Sequence, residues 1–181
     1  MKSDVESRGI EVEDDIVDYV QNRHGGESGI VYCHKKATVE SCAMALRAAG
    51  VTAAAFHGSV KNATKDKNLT KWLSGEISVM CATVAFGMGV DKPDVRFVVH
   101  HDMPKSPEGL VQEAGRAGRD RFPAESLVYY DEGDLSLFEF LVKKNVKEGD
   151  DTRKMKQELD RLQNVSRPGG FFNLWVGGRS I

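Results

Sequence analysis

Cysteine is scarce in this chain: there are three, at positions 33, 42 and 81, and no two form a C-x-x-C pair. A disulfide framework and a zinc site both lack their usual sequence pattern. All three lie in apolar surroundings and read as buried, reduced thiols. Long hydrophobic runs are missing too, and none approaches the length of a membrane span. The charged N-terminus lacks the apolar core of a secretory signal. The expected location is therefore intracellular, in the nucleus of a eukaryote or otherwise in the cytoplasm, with no membrane partner. Nor is there an excess of positive charge. The net charge is −2 and the sequence pI is about 6.2. A protein that wraps nucleic acid over its whole surface is strongly basic, so any such contact here must be a local patch or one wall of a larger site. No internal repeat is visible. What remains is a 181-residue chain, 40% hydrophobic and 29% charged, which suits one globular domain with a full core plus tails.

Hydrophobic periodicity alternates between two patterns. Glu13, Asp14 and Asp15 open a helix, where acids favour the positive end of the helix dipole, and Val12, Ile16, Tyr19 and Val20 give it one apolar stripe. Gly29 to Cys33 (G-I-V-Y-C) is a short continuous apolar run, as in a strand buried on both faces. A helix from about Lys36 carries Val39, Cys42, Ala43 and Leu46 on one face and stops at Gly50. The stretches 52–57, 77–83, 96–100 and 126–130 read as further strands. Between them lies a polar helix over 62–74, with Leu69, Trp72 and Leu73 turned inward and its lysines on a solvated face. Another helix is capped by Ser106, with Pro107 in the first turn, where a missing N–H costs nothing. Helical patterns also cover Asp131 to Lys144 and Met155 to Leu162.

Strands alternating with helices imply an α/β fold, a mostly parallel sheet with helices on both faces. In such sheets ligands sit beyond the carboxyl ends of the strands, where the loops after Cys33, His57 and Thr83 emerge. By these patterns residues 1–11 form a flexible N-terminus, 12–148 the domain and 149–165 a helical extension. Residues 166–181 form a tail, left open between disorder, docking and an artificial scar.

Gln112 to Asp120 reads Q-E-A-G-R-A-G-R-D. Continued as a helix, it would place Gln112, Arg116 and Arg119 within an arc of roughly 60°. Leu110, Val111, Ala114, Ala117 and Gly118 would turn the other way. A guanidinium is always charged, and its planar fork fits phosphate oxygens. Two on one face, flanked by glycines that allow close backbone approach, suit a triphosphate. The plainer alternative is surface pairing of both arginines with Glu113, Asp120 or other carboxylates.

C-A-T-V-A-F-G-M-G-V-D-K-P-D-V-R-F-V-V-H (Cys81 to His100), then P-K-S-P-E-G and Q-E-A-G-R-A-G-R-D, resembles motifs V and VI of the RecQ family of DNA helicases. G-I-V-Y-C and A-A-A-F-H-G (Ala53 to Gly58) resemble its motif IV region, so the likeness covers roughly residues 29–144. The resemblance implies a RecA-like fold, as the second such lobe of an ATP-dependent 3′-to-5′ DNA helicase. ATP and Mg²⁺ would sit between two lobes, held mainly by the first. The sequence has no G-x-x-x-x-G-K-[ST] and no D-E-x-H box, so that first lobe is expected elsewhere, and this fragment alone is expected to be inactive.

By motif, Arg119 is the expected arginine finger on the γ-phosphate. Arg116 and Gln112 would support the phosphates or couple the lobes. Gly89 and Asp91 of the Gly-x-Asp-x-Pro element would lie at the nucleotide, with Asp91 near its sugar or bracing the arginines. The alternative for Asp91 is a plain turn aspartate. Thr83 is the first candidate for a single-stranded DNA phosphate, through its hydroxyl and backbone N–H. Lys35 and His57 are weaker candidates, a lone histidine being more often packed or solvated. His100-His101 has no metal partner in the sequence and reads as structural; no metal ligand is assigned.

The chain departs from the family in three places. Leu110-Val111 stand where two aromatics usually precede Gln-Glu. Arg121 stands where a glycine usually follows the arginine motif. No cysteine follows Cys81, so the family's cysteine-rich zinc module is absent or truncated. A second reading keeps the fold without the motor, as a DNA- or partner-docking module using the aromatics of the tail.

Overall fold

The computed structural model of the chain describes residues 9–87, 90–131 and 133–134, the single residues Lys2 and Val5, and the backbone of a strand at Phe172–Trp175. The helices expected after Asp131, and most of residues 1–11, lie outside the described residues. The elements follow in the order α1 (Val12–Arg23), β1 (Ser28–Tyr32), α2 (Lys36–Ala48), β2 (Ala53–Phe56), α3 (Asn62–Leu73), β3 (Val79–Ala82), β4 (Val95–His100), α4 (Pro107–Ala114), β5 (Glu125–Val128) and β6 (Phe172–Trp175). The strands stand side by side as β2-β3-β1-β4-β5-β6. The first five pair in parallel, and β6 runs antiparallel along β5.

Alternate residues of the central strand β1 enter opposite cores, which is why its apolar run is unbroken. Val31 joins Ile16 and Val20 of α1 and Val39 and Leu46 of α2. Ile30 and Tyr32 join Trp72 of α3, Phe86 and Ala117. Helices therefore cover both faces, as the alternating pattern implies. Leu73 does not turn inward as expected; it is 44% exposed. Trp72 is the buried anchor of α3, and its indole donates to the Gly29 carbonyl at 3.2 Å. Gly29 has no room for a side chain, since a Cβ there would stand 2.0 Å from the Phe97 ring. Among the described residues, no helix is long and apolar enough to cross a membrane.

The helix after Ser106 is shorter than its periodicity implies. Ser106 caps it by accepting from the Gly109 amide at 3.1 Å, and Pro107 occupies its first turn. It ends at Ala114, with Gly115 as the C-cap. Arg116 and Arg119 are therefore not on a helix with Gln112, and the expected three-residue arc does not form. Gly118 turns the chain at φ 65°. Its amide then donates to the Val95 carbonyl, and the Asp120 amide to Pro93. These backbone donors find partners at the start of β4 instead of in another helical turn.

Arg121 is the one non-glycine residue at positive φ, 71°, among the described residues. This is the position where the resembled family has glycine. An L-residue there costs about 1–2 kcal/mol, against roughly 0.5–1 kcal/mol for the extra freedom glycine loses on folding. Arg121→Gly should therefore stabilise the chain by about 0.5–1 kcal/mol and raise its Tm by a few degrees. A lower Tm in thermal melts would mean that the arginine side chain makes a contact outweighing its backbone strain.

Candidate nucleotide and nucleic-acid interface

Tyr32, Ala82 and His100 stand level across β1, β3 and β4. Their strands end on one rim, where three connecting segments meet. The glycine-rich segment after Thr83 is held there by donors on two successive carbonyls. The Tyr32 hydroxyl donates to Phe86 at 3.1 Å, and Arg116 donates through an NH group to Gly87 at 2.7 Å. Gly87 has φ 126°, and a Cβ on it would lie 2.2 Å from the Arg116 guanidinium carbon, so only glycine fits. The Arg116 Nε is buried without a hydrogen-bond partner. Burial pushes the Tyr32 phenol up, with the positive Arg116 acting against that. Behind the phenol, the Tyr32 ring stacks on His100 at 5.5 Å. His100 Nε2 in turn meets the Glu113 carboxylate of α4 at 3.0 Å.

Arg119 lies further out. It pairs with Asp91 at 2.8 Å, and the two side chains are 38% and 82% exposed. Asp91 is thus the carboxylate that Arg119 meets. An exposed pair of this kind is worth about 0–1 kcal/mol, so another anion can take the place of the carboxylate at little cost. Gln112 is exposed in the last turn of α4. Gly89 lies outside the described residues.

The three nucleic-acid candidates separate. Thr83 is half-buried just past the end of β3. Its amide, expected to face a ligand, instead donates to the Phe56 carbonyl at 3.3 Å, which leaves the hydroxyl. Lys35 is exposed at the N-cap of α2. Its neighbour Lys36 ties the connections after β1 and β2 together by donating to Ser59 at 2.8 Å. His57 is buried. Its Nε2 meets Glu40 at 2.8 Å and its Nδ1 accepts from the Ser59 amide at 3.3 Å, so no nitrogen is left for a phosphate.

Sequence reasoning missed Tyr32, absorbed into an apolar run, and Glu113, treated as a surface partner for arginines. A phenol at the carboxyl end of a central strand is the signal that would have found the first, because a buried tyrosine hydroxyl usually has a partner.

Residues 11–121 match the family described as the helicase conserved C-terminal domain. The chain belongs to that family. This helicase C-terminal domain is 42% identical over 154 residues to the ATP-dependent DNA helicase Q1 of Pongo abelii, covering 85% of the chain and 23% of that protein. It is 44% identical over 115 residues to the RecQ-like DNA helicase blm-1 of Caenorhabditis elegans, covering 64% of the chain and 12% of that protein. The chain thus spans about a quarter, or less, of the length of these RecQ-like relatives. Its RecA-like fold recurs in Saccharomyces cerevisiae Dbp5 bound to RNA and ADP BeF3, with TM-score 0.64 and 19% identity over 82% of this chain and 41% of that one. It also recurs in Mycobacterium smegmatis helicase Lhr bound to ssDNA and AMP-PNP, with TM-score 0.59 and 26% identity over 74% and 18%.

A charge network lies beside the rim of the helicase domain. His101 sits 3.3 Å from an Asp102 oxygen and 3.7 Å from a Glu13 oxygen. Asp102 also pairs with Lys2 and accepts from the His34 amide at 3.0 Å, which fixes the turn into α2. Glu13, Cys42 and His101 bring ligand atoms within 4.8 Å of one another; both nitrogens of the imidazole are buried without a hydrogen bond and stand at ion-pair distance from the two carboxylates. Burial works against its charge; Asp102 and Glu13 outweigh that and lift its pKa to about 9. Glu13 is held down at about 2, chiefly by His101.

The raised His101 pKa gives stability that is complete below the ordinary value of 6.5 and fades as pH rises through about 9. The lowered Glu13 pKa gives stability present above 4.5 and lost as pH falls toward 2. Urea melts should show a loss on the order of 3 kcal/mol between about pH 6.5 and pH 9.5, and His101→Gln should remove most of that slope. An unchanged slope in the variant would assign the alkaline loss to other groups.

Proposed function

We propose that the chain is the second motor lobe of a RecQ-like, ATP-dependent 3′-to-5′ DNA helicase. In this reading it works inside the cell, faces a first RecA-like lobe of the same protein, and presents Arg119 to ATP held between the two. The observation that carries the reading is the Arg119–Asp91 pair: a guanidinium on the rim, half in solvent, held by a carboxylate that is itself in solvent. A cation held this loosely can be transferred to a phosphate. Arg116 is tied to the Gly87 backbone and acts by positioning. Gln112, exposed at the end of α4, would support the phosphates or couple the lobes. Asp91 releases Arg119 and is then free to meet the sugar.

The residues suit a polyphosphate, since exposed guanidinium donors and one buried unpartnered Nε stand at the same rim. Mg²⁺ would be held by the first lobe and would neutralise charge on the phosphates. The contribution of this chain is a positive charge that arrives when the lobes close. An arginine supplied across an interface accelerates phosphoryl transfer by about 10³–10⁵, and tying it to closure makes hydrolysis depend on movement.

Single-stranded DNA would pass the Thr83 hydroxyl and Lys35, touching phosphates and not bases. His57, with both nitrogens engaged, is not part of this track. The slightly acidic balance of the chain fits a narrow contact of this kind, strengthened by the other lobe.

In a protein carrying both lobes, Arg119→Ala should slow ATP turnover by about 10³–10⁵ and leave nucleotide binding largely intact. Wild-type turnover in that variant would remove the finger assignment. Lys35→Ala should weaken single-stranded DNA binding for all sequences alike and reduce the slope of log affinity against log salt by about one. An unaltered slope would take Lys35 off the track.

A further inference from the structure

Tyr32, His100 and Glu113 are buried or nearly so at the rim, yet none of them touches ATP or DNA in the reading above. They form one line of contact from the central strand to α4. We infer that Tyr32 is a positioning residue that couples DNA at Thr83 to the arginine finger, with His100 and Glu113 holding its ring in place. The inference rests on the proposed motor function.

The segment from Thr83 to Asp91 begins at the proposed DNA contact and ends at the carboxylate paired with Arg119. Its middle is fixed. The Phe86 side chain is buried and packs edge-on against Phe56 at 4.8 Å and Trp72 at 5.5 Å. The Phe86 and Gly87 carbonyls are held by Tyr32 and Arg116. On one side of it Val84 is 58% exposed, and on the other Asp91 is 82% exposed and paired with Arg119. The Phe86 amide donates to the Thr83 carbonyl at 2.9 Å and the Val90 amide to the Gly87 carbonyl at 3.2 Å, so a displacement at Thr83 reaches the two held carbonyls and, through Gly87, the Val90 and Asp91 oxygens that Arg119 meets.

The pin belongs to the middle of the sheet. Tyr32 ends the central strand β1, which is paired on both sides, and only 2% of it is exposed. Its ring lies against His100, which Glu113 binds from α4, the helix that leads into Arg116. The same phenol thus touches the strand, the glycine-rich segment and, through one histidine, the approach to both arginines. A hydroxyl that merely satisfied a buried carbonyl would affect stability alone.

The test uses the two-lobe protein and ATP turnover with and without oligo-dT. Tyr32→Phe keeps the ring and its stacking and deletes only the donor. The expected result is a kcat at saturating DNA lowered roughly tenfold, the scale of one buried carbonyl left unpaired. The KM for ATP should stay within about twofold, and the ratio of turnover with DNA to turnover without it should fall with kcat. Glu113→Ala should lower the same ratio, and Glu113→Gln, which keeps an acceptor for His100, should restore it. A Tyr32→Phe protein with the wild-type ratio would overturn the inference, as would equal losses with and without DNA. A wild-type protein with no DNA-stimulated turnover at all would instead overturn the motor function on which the inference rests.

Discussion

Arg116 donates to the Gly87 carbonyl at 2.7 Å, across a residue with no room for a Cβ. The arrangement of the rim depends on that contact. It joins the segment after β3 to the segment after α4, two pieces of chain that share no sheet pairing. With Gly87 held, Asp91 lies where it can meet Arg119. The helix stops at Ala114, which lets the following turns bend back toward the start of β4. One guanidinium is therefore bound to backbone and the other is left half in solvent. The two guanidiniums thus differ in how firmly the protein holds them.

The sheet brings these groups together. Parallel pairing puts the carboxyl ends of β1 to β5 on the same side, and the central strand β1 delivers Tyr32 between Ala82 and His100. Packing on both faces then fixes the rim from below. Trp72 reaches through to the Gly29 carbonyl from one side, and α1 and α2 close the other. Lys92, itself buried, lies over the Trp72 ring at 5.5 Å and donates to the Leu73 carbonyl. This ties the end of α3 to the residues just past Asp91. The acid–histidine network at Asp102 does the same for the turn into α2, where Lys35 is displayed.

Much of this was legible in the residues. The unbroken run G-I-V-Y-C announced a strand covered on both faces, and the alternation of strand and helix announced the sheet. The Ser106-Pro107 start of α4 was equally plain, because a cap is a local event. Its end was not. Periodicity continues through Arg116 and Arg119, and the competing partners for the Gly118 and Asp120 amides, Val95 and Pro93, lie more than twenty residues earlier in the chain. The packing of His57, favoured for a lone histidine, could not be assigned a partner for a similar reason, since Glu40 lies on α2. Tyr32 was hidden by its own apolar context. Strand β6 could not be foreseen, because four residues without alternation carry no signal until β5 is there to pair with them.

The order of the strands has a consequence for how the chain reaches this state. Ile30 pairs with Val98 and with Met80, so the central strand must wait for neighbours far along the sequence. No pair among the five parallel strands can zip up from a tight turn, because each connection carries at least a crossover. The entropy of closing those loops is lost before any pairing rewards it, which makes assembly slow relative to a helical bundle. Meanwhile segments such as Ile30-Val31-Tyr32 and Phe97-Val98-Val99 are bare and adhesive. During refolding, dilution thus decides whether these strands meet each other or those of a neighbouring molecule.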